Sequence, residues 1–156
     1  MDKKKAYEEF LKKMEDCAGC TMRGYGEPVF NGNYNQEIMI IGFEPESHNV
    51  EINSSMIAKA SKLLTLYQEE VKYGAYITYV HRCSLYVHGE ISEEGKENCI
   101  RLLREEIEIV RPKYMIIFDE RVIDAICDNA DLVKNAEEYP VETTVFSNKV
   151  KLYYLK

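Results

Sequence analysis

Four of the five cysteines, Cys17, Cys20, Cys83 and Cys99, have the type and placement that a soft-metal site needs. Cys17-Ala18-Gly19-Cys20 brings two thiolates to one centre, with small residues between them that let the backbone wrap. Cys83 closes an apolar run, and Cys99 lies in a stretch of helical periodicity. Thiolates suit both iron–sulfur clusters and tetrahedral zinc. Zinc sites usually show two close pairs, whereas Cys83 and Cys99 stand far apart in the chain. A thioredoxin-like redox pair belongs at a strand–helix junction, but Cys17 and Cys20 follow a helix in a loop. The plain alternative is a set of unrelated reduced thiols. Cys127, among Val122, Ile123 and Ile126, reads as core, because a buried free cysteine behaves as a small hydrophobe.

The rest of the chain must position these thiols. Its 156 residues suit one domain spanning 1–156, long enough to bury a core without staples. Hydrophobic content is 46% and charged content 30%, the balance of a soluble globule. No apolar run reaches the length of a membrane span, and no signal-peptide core follows the Lys-rich start. The expected location is the cytoplasm, where thiols stay reduced and metal ligation is favoured over disulfides. The net charge of −7 opposes strong nonspecific binding to nucleic acid and suits a protein partner or a small ligand better.

Helical spacing of Ala6, Phe10, Leu11 and Met14 predicts a helix over 4–16. Residues 17–36 read as loop, with four glycines and one proline. The run 37–42, ending in Gly42, reads as a buried parallel strand. A helix is expected over 56–71 and a strand over 75–80. Ser92 starts a helix that ends before Pro112 and keeps Ile100, Leu103, Ile107 and Val110 on one side. A strand over 114–118, a short helix over 121–127, and strands over 143–146 and 150–155 complete the series, the last two separated by Ser147-Asn148-Lys149. This alternation predicts an α/β fold, with a mostly parallel sheet covered on both faces. Ligands of such sheets bind beyond the carboxyl ends of the strands, so the loops after Gly42, Val80 and Phe118 line the expected site.

Several stretches carry a family likeness. Cys17 and Cys20 are followed by Val29-Phe30-Asn31-Gly32-Asn33. Then come Gly42-Phe43-Glu44-Pro45-Glu46 and the helix start from Ala58 to Leu64. Tyr76-Ile77-Thr78-Tyr79-Val80-His81-Arg82-Cys83 precedes Cys99 and Arg111-Pro112-Lys113. In this order they resemble the iron–sulfur uracil-DNA glycosylases, the fourth family of that superfamily, from Cys17 to about Cys127. The resemblance implies a three-layer α/β/α sandwich around a mostly parallel four-stranded sheet. It implies a 4Fe-4S cluster on Cys17, Cys20, Cys83 and Cys99, with zinc as the fallback. It also implies a DNA-repair hydrolase acting on N-glycosyl bonds.

The departures fall on the chemistry. Base excision needs a flipped base, a reader of its edge and stabilisation of the developing charge. Where the family has a water-activating acid in the first motif loop, this chain has Phe43, with Glu44 one position on. The family's uracil-reading Asn becomes Tyr79, which lacks the paired donor and acceptor of an amide. The stacking platform falls near Met56. The late His-Pro-Ser loop has no counterpart, so the resemblance is to a C-terminally short member. Phe43, Glu44, Met56 and Tyr79 are therefore the pocket candidates, with no catalytic assignment. Lys59, Ser61, Lys62 and Arg82 are the candidates for nucleic-acid contact, with Arg101 a further scattered cation.

Three readings follow. The first is a divergent, glycosylase-like protein with weakened or lost excision, acting in DNA metabolism or as a binding module for DNA or a protein. The second is an active glycosylase excising uracil or another deaminated base. The third is a cytosolic redox or ligand-binding α/β protein. For Glu44 the ordinary expectation is a solvated loop carboxylate. His81 and His88 are expected on exposed loops, a cluster-ligand role being the sharper alternative. Tyr67, Tyr73 and Tyr76 read as packing, leaving Tyr79 as the base-facing aromatic.

Overall fold

In the computed structural model, residues 2–15, 34–43, 62, 75–81 and 93–155 are described. The elements are α1 (Lys3–Glu15), β1 (Ile38–Gly42), β2 (Ala75–Tyr79), α2 (Glu93–Val110) and β3 (Tyr114–Ile117). After these come α3 (Glu120–Ile126), α4 (Ala130–Lys134), β4 (Val141–Val145) and β5 (Asn148–Tyr154). The strands form one sheet in the order β2-β1-β3-β5-β4. β1 pairs in parallel with β2 and β3, and β3 with β5, while β4 runs antiparallel to β5. The expected four-stranded sheet is thus five-stranded. The extra strand follows from a two-residue turn, a link that only antiparallel neighbours can use.

That turn is Phe146-Ser147, not the expected Ser147-Asn148-Lys149, since Val145 already pairs with Asn148. Both turn residues have positive φ, 49° at Phe146 and 68° at Ser147. This geometry matches the right-handed twist of a hairpin but normally calls for Asn or Gly. Side-chain contacts hold it. Asn148 Nδ2 donates to the carbonyls of Val145 and Phe146 at 3.3 and 3.0 Å, and the Arg104 guanidinium lies 4.9 Å from the centre of the Phe146 ring. Ser147→Gly should therefore raise stability by about 1 kcal/mol, because glycine carries no Cβ penalty at positive φ. The urea midpoint should rise at constant slope, and an unchanged midpoint would show that the turn is unstrained.

Strand alternation divides the core. Met39, Ile41, Tyr76, Val80, Met115, Ile117, Leu152 and Tyr154 face one side, where Phe10, Leu103, Ile107, Val122, Ile123 and Val133 from all four described helices meet them. Ile38, Ile40, Ile77, Tyr79, Tyr114, Ile116 and Tyr153 form a second buried cluster on the other face. The central strands are buried on both sides, which explains why β1 and β3 read as unbroken apolar runs.

α2 is the long crossover between β2 and β3. Cys99, Leu103, Glu106 and Val110 recur at helical spacing on its buried side. It stops where Arg111 takes φ 50° and Pro112 follows. Arg111 N donates to Ile107 O at 2.8 Å, and Lys3 Nζ reaches Val110 O at 3.0 Å, placing a cation of α1 on the negative end of α2. Among the described residues, no helix is long and apolar enough to cross a membrane. The helix expected over 56–71 lies outside the described residues, save for Lys62, which is helical and exposed.

Candidate functional site

Beyond the carboxyl ends of β1 and β2 the sheet ladder runs on for two bonds, Val80 N to Gly42 O at 2.9 Å and His81 N to Phe43 O at 2.8 Å. These bonds bring the Phe43 and His81 rings together, with centroids 4.6 Å apart. The guanidinium of Arg121, from the first turn of α3, covers Phe43 at 4.0 Å from the ring centre. Asp119, just beyond β3, fixes that guanidinium. Its carboxylate accepts from Arg121 Nη2 at 2.7 Å and from Arg121 Nε at 3.1 and 3.2 Å, and it caps α3 by accepting from the Arg121 backbone N at 2.9 Å. The result is a cluster in which the Phe43 ring meets both Arg121 and a tilted His81 ring, anchored by one carboxylate.

The Arg121 side chain holds the Asp119 carboxyl below the usual carboxylate range. A depressed folded-state value means that its stabilisation is complete above the unfolded-state value and is lost as pH falls through the folded one. Asp119→Ala should cost about 1 kcal/mol near neutral pH, the ordinary value of a lost N-cap. The difference should vanish at acid pH, which urea titrations at several pH values would check. A cost that persists unchanged into strong acid would contradict this role.

His81 is 6% exposed, which overturns the exposed-loop expectation. Burial lowers its pKa, and the nearby cations of Lys96 and Arg121 lower it further, so it is a neutral imidazole at pH 7. Its buried Nδ1 has no hydrogen-bond partner among the described residues. Glu106, nearer the carboxyl end of α2, bonds Tyr76 and Thr78 of β2, so the amino-terminal turns of α2 lie toward the carboxyl end of that strand. Cys99, one turn after Lys96, is buried at 5% exposure and forms no disulfide among the described residues.

Two turns further along α2 lies Glu106, fully buried. Its Oε2 accepts from the Tyr76 hydroxyl and its Oε1 from the Thr78 hydroxyl, both at 2.6 Å, and Tyr76 meets the Tyr7 hydroxyl at 2.8 Å. The network ties α1, β2 and α2. Sequence reading passed over it, although the signal was present: a lone carboxylate on an apolar helical stripe, opposite polar alternation at Tyr76 and Thr78.

Phe43 and Tyr79 end neighbouring strands but lie on opposite faces of the sheet. Phe43 packs against the cluster that includes Phe10, whereas Tyr79, 1% exposed, belongs to the second cluster. The sheet thus separates these two pocket candidates. Cys17, Cys20, Cys83, Glu44, Met56, Lys59, Ser61 and Arg82 lie outside the described residues. Among the described residues, no group of three or more His, Cys, Asp or Glu side chains converges as metal ligands. Cys127 is partly buried against the core, and burial with the nearby Asp128 and Asp124 carboxylates pushes its thiol up to about 12. No protein-family model matches this chain, and no curated protein sequence matches it.

Proposed function

We propose that this chain is a glycosylase-like iron–sulfur protein that keeps a 4Fe-4S cluster, has lost base excision, and serves as a binding module in DNA metabolism in the cytoplasm. One observation carries the loss of chemistry. Where the resemblance implies a water-activating acid and an edge-reading amide, the half-buried Phe43 ring contacts Arg121 and His81, and Tyr79 is core. Neither side chain can take a proton from water at pH 7 or offer an amide's paired contacts.

The cluster reading rests on the spacing of the four cysteines and on the burial of one of them, Cys99. Its buried thiol sits on the inward side of α2, at the sheet end where Cys83 follows β2 by four residues. Cys17, Cys20, Cys83 and Cys99 would hold the cluster, which would supply a cross-link between distant parts of the chain. Burial of the second sheet face is what a three-layer sandwich would produce, with a further helical layer over Ile40, Ile77 and Ile116.

The test incubates the protein with single-stranded and mismatched oligonucleotides carrying uracil or hypoxanthine, then treats them with alkali. Intact strands are expected. Breaks at the modified base would establish an active glycosylase and overturn the proposal.

A further inference from the structure

We propose that the groove over the β4–β5 hairpin is an anion site that takes the phosphate backbone of a nucleic-acid strand. This deepens the binding role above and rests on it only for the choice of polyanion. The groove measures about 410 Å³, and Lys113, Lys149 and Lys151 line it together with Thr144 and one carboxylate, Glu142. Lys149 and Lys151 alternate along β5 and so share a face. Lys151 N donates to Lys113 O at 3.0 Å, which sets Lys113 beside Lys151 on the adjacent chain segment. Neighbouring strands lie about 4.8 Å apart, so three long side chains from this corner reach one or two adjacent phosphates.

The charge is local and runs against the whole. Three ammonium groups face one carboxylate here, in a chain of net charge −7. Among the described residues, none of the three lysines forms an ion pair with a carboxylate. Lys113 Nζ instead lies 5.3 Å from the centre of the Tyr114 ring. Lysines are point charges that tolerate many phosphate orientations, and among the described residues no aromatic side chain lines the groove to stack a base. The expected contact is therefore with the backbone, independent of sequence. Lys113 precedes β3, and Lys149 and Lys151 precede or pair with its first residue. The groove thus lies at the amino ends of the parallel strands, away from Phe43 and His81.

The test titrates the full chain with a fluorescein-labelled oligothymidylate across a range of salt. Wild type should bind at low salt, with a log–log salt slope of about −2, the value for three contacts on a single strand. The Lys113→Gln/Lys149→Gln/Lys151→Gln variant should bind at least about tenfold more weakly at low salt and lose most of the slope. Lys4→Gln/Lys5→Gln/Lys12→Gln makes the same charge change on exposed positions of α1 and should bind within about twofold of wild type. Circular dichroism verifies that each variant is folded.

Equal loss in both triple variants, or loss in neither, overturns the groove while leaving a nucleic-acid role elsewhere intact. Absence of wild-type binding overturns both. Displacement by an oligoglutamate peptide at lower concentration than by unlabelled oligothymidylate would make the partner an acidic protein instead. The readout involves neither excision nor iron, so failure of those assignments leaves it unaffected.

Discussion

Glu106→Ala should cost about 3–4 kcal/mol of folding stability, from two buried hydrogen bonds to a charged group at about 1.5–3 kcal/mol each and from the packing lost with the side chain. The reason is the clasp on the inward side of α2. Glu106 and Thr78 are fully buried, and Tyr76 is too. The carboxylate alone accepts from both hydroxyls at 2.6 Å. Burial, followed by the neighbouring Glu106 carboxylate, holds the Tyr76 hydroxyl far above the ordinary tyrosine range, so it stays a donor at any pH the fold survives.

Without Glu106, the Tyr76 hydroxyl retains its contact with Tyr7, and both Tyr76 and Thr78 lose a charge-assisted hydrogen bond inside the core. Glu106→Gln preserves shape and one acceptor, and should cost less, about 1–2 kcal/mol. Urea unfolding of the three proteins at neutral pH measures both values. An alanine variant within about 1 kcal/mol of wild type would show that the network is incidental.

Cys99→Ser should abolish the visible charge-transfer absorbance and most of the bound iron, while Cys127→Ser should leave both untouched. The two residues differ in surroundings. Cys99 lies in the amino-terminal half of α2, buried on its inward side and one turn from Lys96. Cys127 is bridged to Val145 of β4, at the sheet edge opposite β2, and burial pushes its thiol up to about 12. Metals bind thiolates, so a thiol this hard to ionise is a poor ligand. Metal binding energy is also folding energy, so loss of the cluster should lower the unfolding midpoint of the Cys99 variant well beyond the effect of one buried sulfur. Equal spectra for the two variants would contradict the assignment of Cys99.

How far the sequence could be read depended on whether a signal was local. β1 and β3 were legible because strands covered on both faces must be apolar throughout, and 38–41 and 114–117 are. The end of α2 was legible because Pro112 cannot continue a helix. The hairpin was misplaced by one to two residues, because Phe146-Ser147 is not a pair that advertises a tight turn; Asn148 and Arg104 stabilise it from outside. α4, five residues long with no side-chain cap bond, gave too weak a pattern.

At the site, inward-facing Cys99 followed from helical spacing with Leu103 and Val110. The burial of His81 did not, because it depends on a ladder that extends past β2 and on Phe43 stacking from the neighbouring strand. The placement of the local Arg121–Asp119 pair against Phe43 likewise needs β3 to lie next to β1, a long-range fact. The opposed directions of Phe43 and Tyr79 are a matter of register, which motif matching does not convey.

The most direct measurement is the iron and acid-labile sulfide content of protein purified without oxygen, taken with its visible spectrum. The account predicts brown protein with about four irons and about four sulfides per chain. Colourless protein, with stoichiometric zinc or with no metal, would contradict it.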